Sequence, residues 1–251
     1  MADQFDLPVP ALGKAFAILD YLTGAGEPKS LKQIVAALSL PKTSAFSLLG
    51  SLCSLGALRK VEGGLYAPGI RLYTLGVAAR MSLSHNHALA QCLHALRDEI
   101  GYTVFFSLFD DGELMVWEKV EGFESVLFKA YVGQRKRLNT SSAGKAIAAH
   151  LPPLELDKVI SMGMDARTEK SITDRHEFIA HLQQIRAQGY AIDDEEGERG
   201  IFCIGVPVFD AAGKVFGAVS MSALKSHLER DKNPYYIAVL QRTAAQITQV
   251  M

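Results

Sequence analysis

The stretch SLKQIVAALSLPKTSAFSLLGSLCSLG, residues 30–56, constrains the fold more than any other part of the chain. Ser30 is a good N-cap, and Leu31, Ile34, Val35 and Leu38 then recur at helical spacing. Ser39-Leu40-Pro41 breaks that pattern. Pro41 and Thr43 open a longer helix, on which Ala45, Leu48, Leu49, Leu52 and Leu55 form one stripe, and Gly56 ends it. Two short amphipathic helices across a tight turn cannot bury their stripes alone. A third helix is available at 10–23, where Ala11, Ala15, Ile18, Leu19 and Leu22 recur until Gly24-Ala25-Gly26-Glu27-Pro28-Lys29 stops it. After the trio, Ala57-Leu58-Arg59-Lys60-Val61 and Leu65-Tyr66-Ala67 flank Gly63-Gly64 and read as a β-hairpin.

Helix, short helix, turn, longer helix and a Gly-tipped hairpin is the order of a winged helix-turn-helix over residues 1–70. In such a unit the second helix of the motif enters the major groove of double-stranded DNA, its N-terminal side chains leading. Here that puts Lys42, Thr43, Ser44, Phe46 and Ser47 toward bases and phosphates, with Arg59 and Lys60 of the hairpin within reach of the backbone. The net charge of the chain is −1, and residues 1–70 hold six Lys and Arg against five Asp and Glu. No global field draws the chain to DNA, so contact must come from this local surface, repeated in an oligomer. Three small helices around leucines also fit any helical subdomain. A ligand-binding or interaction module with a vestigial helix-turn-helix therefore stays open as the alternative.

The pattern from Ile70 to Ile100 is helical, with a break expected at Ser82–Asn86. Its first part, 71–84, reads as a linker helix pairing with a second copy through Leu72, Leu75 and Ala79. Residues 85–251 then form the second domain. Strands are predicted at Thr103–Phe109, Glu113–Val120, Ser125–Ala130, Ile201–Phe209 and Lys214–Ser222. Asp110-Asp111-Gly112 forms a hairpin turn, and Asp210-Ala211-Ala212-Gly213 joins the last two strands. Helices are predicted at Ser142–His150, Leu154–Ser161, Asp174–Gln188 and Asn233–Val250. This order implies an α/β (α+β) domain with a mostly antiparallel sheet.

LKQIVAALSLPKTSAFSLLGSLCSLGAL resembles the helix-turn-helix of the IclR-type bacterial transcription regulators. The segments VGQRKRLNTSSAGKAIAAHL (132–151) and GYAIDDEEGERGIFCIGVPVFDAAGKVFGAVSMSAL (189–224) are similar to that family's effector-domain signature. The resemblance spans nearly the whole chain. It implies a GAF-like effector domain, a dimer or dimer of dimers, and a pocket lined by Ser142, Ala143, Asp193, Cys203, Ser220 and Ser222, with Asn139 in the same segment. Two departures stand out. Ser47 occupies a place where the family commonly has Arg, and Lys136-Arg137-Leu138-Asn139 replaces its Leu-Pro-Leu-His. The two cations fit either an anionic ligand or a solvated loop.

The residues themselves agree with a small organic acid as ligand. Ser220 and Ser222 share one face of a strand, and the Ala143-Gly144 helix start offers N–H groups. Phe105, Phe106, Trp117 and Tyr131 are candidates for an aromatic wall or plain core. Cys203 also fits a small core position, and Asp193 a turn cap.

Enzyme signatures fail on inspection. Ser142-x-x-Lys145 lacks its partner motifs, Gly144-Lys145 lacks the phosphate-loop glycine and hydroxyl, and His176 and His181 are spaced wrongly to share a metal. No catalytic residue, metal or cofactor is expected. Three cysteines at 53, 92 and 203 fit a reducing compartment. No apolar run approaches the ~18 residues of a membrane span. The acidic start, with Asp3 and Asp6, is unlike a secretory signal. The expectation is a cytoplasmic, ligand-modulated transcription regulator, a repressor or an activator.

Overall fold

The computed structural model describes residues 7–82, 86–123 and 128–250. The chain divides into two compact units, 1–84 and 85–251, each with its own core.

In the first unit, α1 (Pro10–Gly24), α2 (Leu31–Leu38) and α3 (Lys42–Ser54) precede a hairpin of β1 (Leu58–Val61) and β2 (Leu65–Pro68). Ser30 caps α2 in a reciprocal box: its hydroxyl accepts the Gln33 N–H at 3.3 Å, and Gln33 Oε1 accepts the Ser30 N–H at 2.8 Å. Ser39 ends α2 with φ +52°, so the chain turns at once into α3. Ile18, Leu22, Ile34, Ala45, Leu49 and Leu52 close the core between the three helices, and Leu58 and Tyr66 seal it from the hairpin. Leu55 leaves the predicted stripe: it lies just past α3, as its C-cap, and is 56% exposed.

The helix α4 (Ile70–Ser82) follows. Leu72 packs against the first unit's core rather than pointing away with Leu75, because Gly69 seats the start of α4 against the 56–57 turn. The predicted break at 82–86 falls largely on residues 83–85, outside the described residues, with α5 (Asn86–Ile100) beyond it.

The second unit is a three-layer sandwich. Its six-stranded antiparallel sheet has the order β5-β4-β3-β8-β7-β6, from β3 (Thr103–Asp110), β4 (Glu113–Val120), β5 (Arg135–Lys136), β6 (Ala191–Asp194), β7 (Ile201–Phe209) and β8 (Val215–Leu224). Asp111 and Gly112, both at positive φ, make the two-residue turn between β3 and β4. On one face, α5 and α9 (Asn233–Val250) pack on Val104, Phe106, Ile204, Val206, Val219 and Met221. On the other, α6 (Ser142–Ala148), α7 (Pro153–Ser161) and α8 (Arg175–Gln188) cover Phe105, Leu114, Val116 and Ala218. Asp174 caps α8 by accepting the N–H groups of His176 and Glu177, and Gly189 closes it in the left-handed region.

Two predictions need correction. Of the strand predicted at 125–130, residues 128–130 are irregular and 125–127 lie outside the described residues; among the described residues the strand beside β4 at this edge is the two-residue β5. At the opposite edge, β6 was missed, because four residues ending in two aspartates carry no strand pattern of their own and gain it only by pairing with β7.

Candidate ligand pocket and nucleic-acid interface

The exposed side of α3 carries Lys42, Thr43, Phe46 and Ser47, while Ser44 is half-buried; Phe46 is 60% exposed. Ala45 and Leu49 face inward and fix this rotation of the helix. Arg59 and Lys60 are exposed on β1, with Lys60 lying 5.6 Å from the Tyr66 ring centroid. The structure therefore presents the predicted DNA-facing residues on the outer surface of α3 and the hairpin.

In the second unit a cavity of 540 Å³ opens between the sheet and α6. Its floor comes from alternate residues of β3 and β8: Phe105 and Ser107 on one, Ser220 and Ser222 on the other, in a register where Phe105 faces Ser220. Cys203 joins them from β7, its Sγ 3.0 Å from Ser222 Oγ, and burial pushes its thiol well above the usual range. Asp193, on β6 opposite Cys203, is 4% exposed. Its Oδ1 accepts the N–H groups of Glu196 and Gly197 at 2.7 and 3.3 Å, so it caps a turn and lines the cavity at once. Burial raises its carboxyl above the ordinary value, against the pull of those N–H groups and of Lys145.

Ser142 and Ala143 reach the cavity because α6 sits directly on β7: a Cβ at Gly205 would lie 2.6–2.7 Å from their backbone atoms. The N–H of Gly144 is not available to a ligand. It donates to Ser141 Oγ at 3.0 Å, the N-cap of α6.

Asn139 is not in the lining. Its side-chain amide donates to the carbonyls of Asp165 and Ile172 at 2.8 and 3.0 Å and accepts the Asp165 N–H at 3.1 Å. It thereby clamps the loop between α7 and α8, which carries the lining residues Asp165, Arg167 and Thr168. Of the aromatic candidates, Phe105 alone reaches the cavity. Phe106 and Trp117 pack in the opposite core, and Tyr131 is exposed. Of the two cations at 136–137, Lys136 lines the cavity, whereas Arg137 lies 3.5 Å from Glu113. Among the lining residues not singled out from the sequence, Ser107 was legible from the two-residue period shared with Phe105. Arg167 and Thr168 sit in an irregular loop and gave no periodic signal.

No group of His, Cys, Asp and Glu among the described residues is arranged to hold a metal ion. Among the described residues no single helix is long and apolar enough to cross a membrane.

A small DNA-reading unit followed by a sheet domain with an internal polar pocket defines a transcription regulator of the helix-turn-helix class. The family model for the IclR helix-turn-helix domain matches residues 11–62, and that for the bacterial transcriptional regulator IclR C-terminal domain matches 78–249. The chain belongs to the IclR family of bacterial transcriptional regulators. It is 30% identical over 224 residues to the HTH-type transcriptional repressor AllR of Salmonella typhimurium, covering 88% of this chain and 82% of that one. The crystal structure of the Thermotoga maritima IclR aligns with a TM-score of 0.72 at 29% identity, covering 95% of this chain and 97% of that one. An IclR homologue from Microbacterium hydrocarbonoxydans, crystallised with 4-hydroxybenzoate, has the same fold: TM-score 0.80 at 19% identity, over 96% and 98% of the two chains.

Proposed function

We propose that this regulator is a cytoplasmic repressor whose hold on operator DNA is set by a small organic acid bound between the sheet and α6. The observation that carries the reading is the pocket itself. Ser142, Ser220, Ser222, the buried Asp193 and several cations line a cavity of 540 Å³ together with Phe105, Leu114 and Val116, a size and lining suited to a small polar metabolite. The 4-hydroxybenzoate complex of the Microbacterium homologue and the repressor name of AllR point the same way.

In this reading residues 1–70 read DNA, 71–84 join two copies, and 85–251 hold the effector. Operators of two-fold symmetry require two readers, so a dimer is the minimal unit, and a dimer of dimers repeats it. Ile70, Tyr73, Leu75 and Met81 leave α4 a largely apolar exposed surface for that pairing, with Met81 78% exposed. The effector shifts DNA binding only by its differential affinity for the two spacings of the readers.

The test is fluorescence anisotropy of the purified protein on its own upstream DNA and on an unrelated duplex, at roughly 50 and 200 mM salt. Selective binding that weakens with salt and changes when organic acids are added is the expected result. Binding without selectivity at either salt, on every promoter-proximal fragment tried, would favour the vestigial-motif alternative.

A further inference from the structure

The cations that line the cavity fall into two kinds. Lys129 is paired with Glu198 at 3.0 Å, Arg135 with Asp110 at 2.8 Å, and Arg199 with Glu169 at 2.7 Å. Lys136 and Arg167 line the same cavity, and among the described residues neither has a carboxylate within ion-pair distance. Both are held in place by their backbones. Lys136 is paired to Leu114 on the edge of the sheet. Arg167 belongs to the loop clamped by Asn139, where Ser171 Oγ accepts the N–H groups of Arg167 and Thr168 at 2.9 and 3.0 Å. Burial chiefly, with the charge of Arg167 adding to it, holds the Lys136 amine below its usual range. Two like charges at one cavity with no carboxylate in ion-pair contact are costly; Asp193 and Glu198 offset part of that cost from a distance, and an anion between the two cations offsets more.

The β6 edge of the cavity has the opposite polarity. Asp193 spends Oδ1 on two backbone N–H groups, while Oδ2 makes no hydrogen bond among the described residues. Across Cys203 from Asp193 lies Ser222, its hydroxyl 3.0 Å from Cys203 Sγ, with Ser220 two residues back on the same strand. A ligand hydroxyl suits this edge, since it donates to the free oxygen of Asp193. A ligand ammonium would place a third cation near Lys136 and Arg167, and a second carboxylate would meet Asp193.

We infer that Lys136 and Arg167 form the anion subsite of this pocket, that the hydroxyl of the same ligand donates to Asp193, and that the effector is a hydroxy acid. The inference rests on the proposed function. It moves the acid group away from the serines and the start of α6 to two residues that the sequence places in a departure from the family pattern and in an irregular loop.

The test uses the full chain, with calorimetry on two matched sets. One is 4-hydroxybenzoate, benzoate and 4-hydroxybenzamide; the other is lactate, propionate and lactamide. The expected result is that a hydroxy acid binds, and that its deoxy acid and its amide each bind about tenfold or more weakly. In Lys136→Gln and Arg167→Gln the hydroxy acid should lose about ten- to a hundredfold while the amide is unchanged, so the preference for acid over amide disappears. Thermal melts of both variants establish that they fold. An acid preference retained in both variants overturns the subsite and leaves the proposed function standing. Failure of every acid to bind the wild-type protein overturns the proposed function, and the inference with it.

Discussion

The ammonium of Lys145 is wholly buried and paired with the carboxylate of Glu196, the residue whose backbone N–H is held by Asp193 in the pocket wall. The pair ties α6 to the turn after β6, and so joins the two sides of the cavity. His181 Nε2 on α8 lies 3.4 Å from the same ammonium, and burial with the Lys145 charge holds that ring below its usual value, in the neutral form that can accept.

Breaking this pair should be severe. Lys145→Met leaves Glu196 buried without its counter-ion, and about 3–5 kcal/mol of stability should be lost. Lys145→Met combined with Glu196→Leu replaces both charges by apolar groups and should recover most of that loss. Urea unfolding of the two variants, followed by the near-ultraviolet signal of the sheet domain, measures the difference. Equal loss in the single and double variants would show that packing, not charge, sets the cost.

Much of this architecture was legible in the sequence, and the misses have physical causes. The C-terminal helix and the hairpin turn at Asp111-Gly112 carry local signals, a 3.6-residue apolar period and two residues suited to positive φ. The two edge strands β5 and β6 carry none, because two residues and four residues ending in two aspartates are too short and too polar to show a two-residue apolar period. Within the pocket, Ser220 and Ser222 share a face by strand geometry alone, whereas the place of Arg167 depends on the clamp that Asn139 makes across the fold. Asn139 thus acts on the pocket through the loop it holds.

Acid should expose a second charge cluster. Glu195 accepts from Lys170 at 2.6 Å, from Lys225 and from the N–H of Gly200 at 2.9 Å, which together lower its carboxyl from 4.5 to about 2. A carboxyl depressed by folding contributes stability that is complete above its unfolded value and is lost as pH falls through its folded value. Glu195→Gln should therefore melt at a lower temperature than wild type near neutral pH, and the gap should close between about pH 4.5 and 2. Melting curves across that range decide it; a gap that does not change with pH would remove the charge from the account.

Gly205 sets the seat of α6. A Cβ there would meet the Ser142 carbonyl carbon at 2.6 Å and the Ala143 nitrogen at 2.7 Å, and backbone atoms cannot step aside. Gly205→Ala should cost about 1–3 kcal/mol by overpacking and should weaken ligand binding by displacing Ser142 and Ala143. Gly76 in α4 is the contrast, since nothing lies within 4 Å of a Cβ there. Gly76→Ala should favour the helix by about 0.5–1 kcal/mol. Unchanged stability and binding in Gly205→Ala would mean that α6 is free to shift on the sheet.

The reading surface is poor in charge, and this makes a prediction in both directions. Lys42 is the single cation on α3, and Ser47, also exposed, lies five residues on, about 140° round the helix. Each phosphate contact contributes about 0.9 to the slope of log affinity against log salt. Lys42→Ala should lower that slope by about one contact per reader and weaken specific and unrelated DNA alike if the ammonium lies on phosphate. If it reads guanine instead, the loss should fall on the specific site. Ser47→Arg adds a cation to the exposed side of α3 and should steepen the slope by a similar amount, tightening the unrelated duplex at least as much as the operator. Anisotropy titrations of the three proteins over a salt series separate these outcomes. A slope unmoved by both substitutions would show that α3 does not face the DNA.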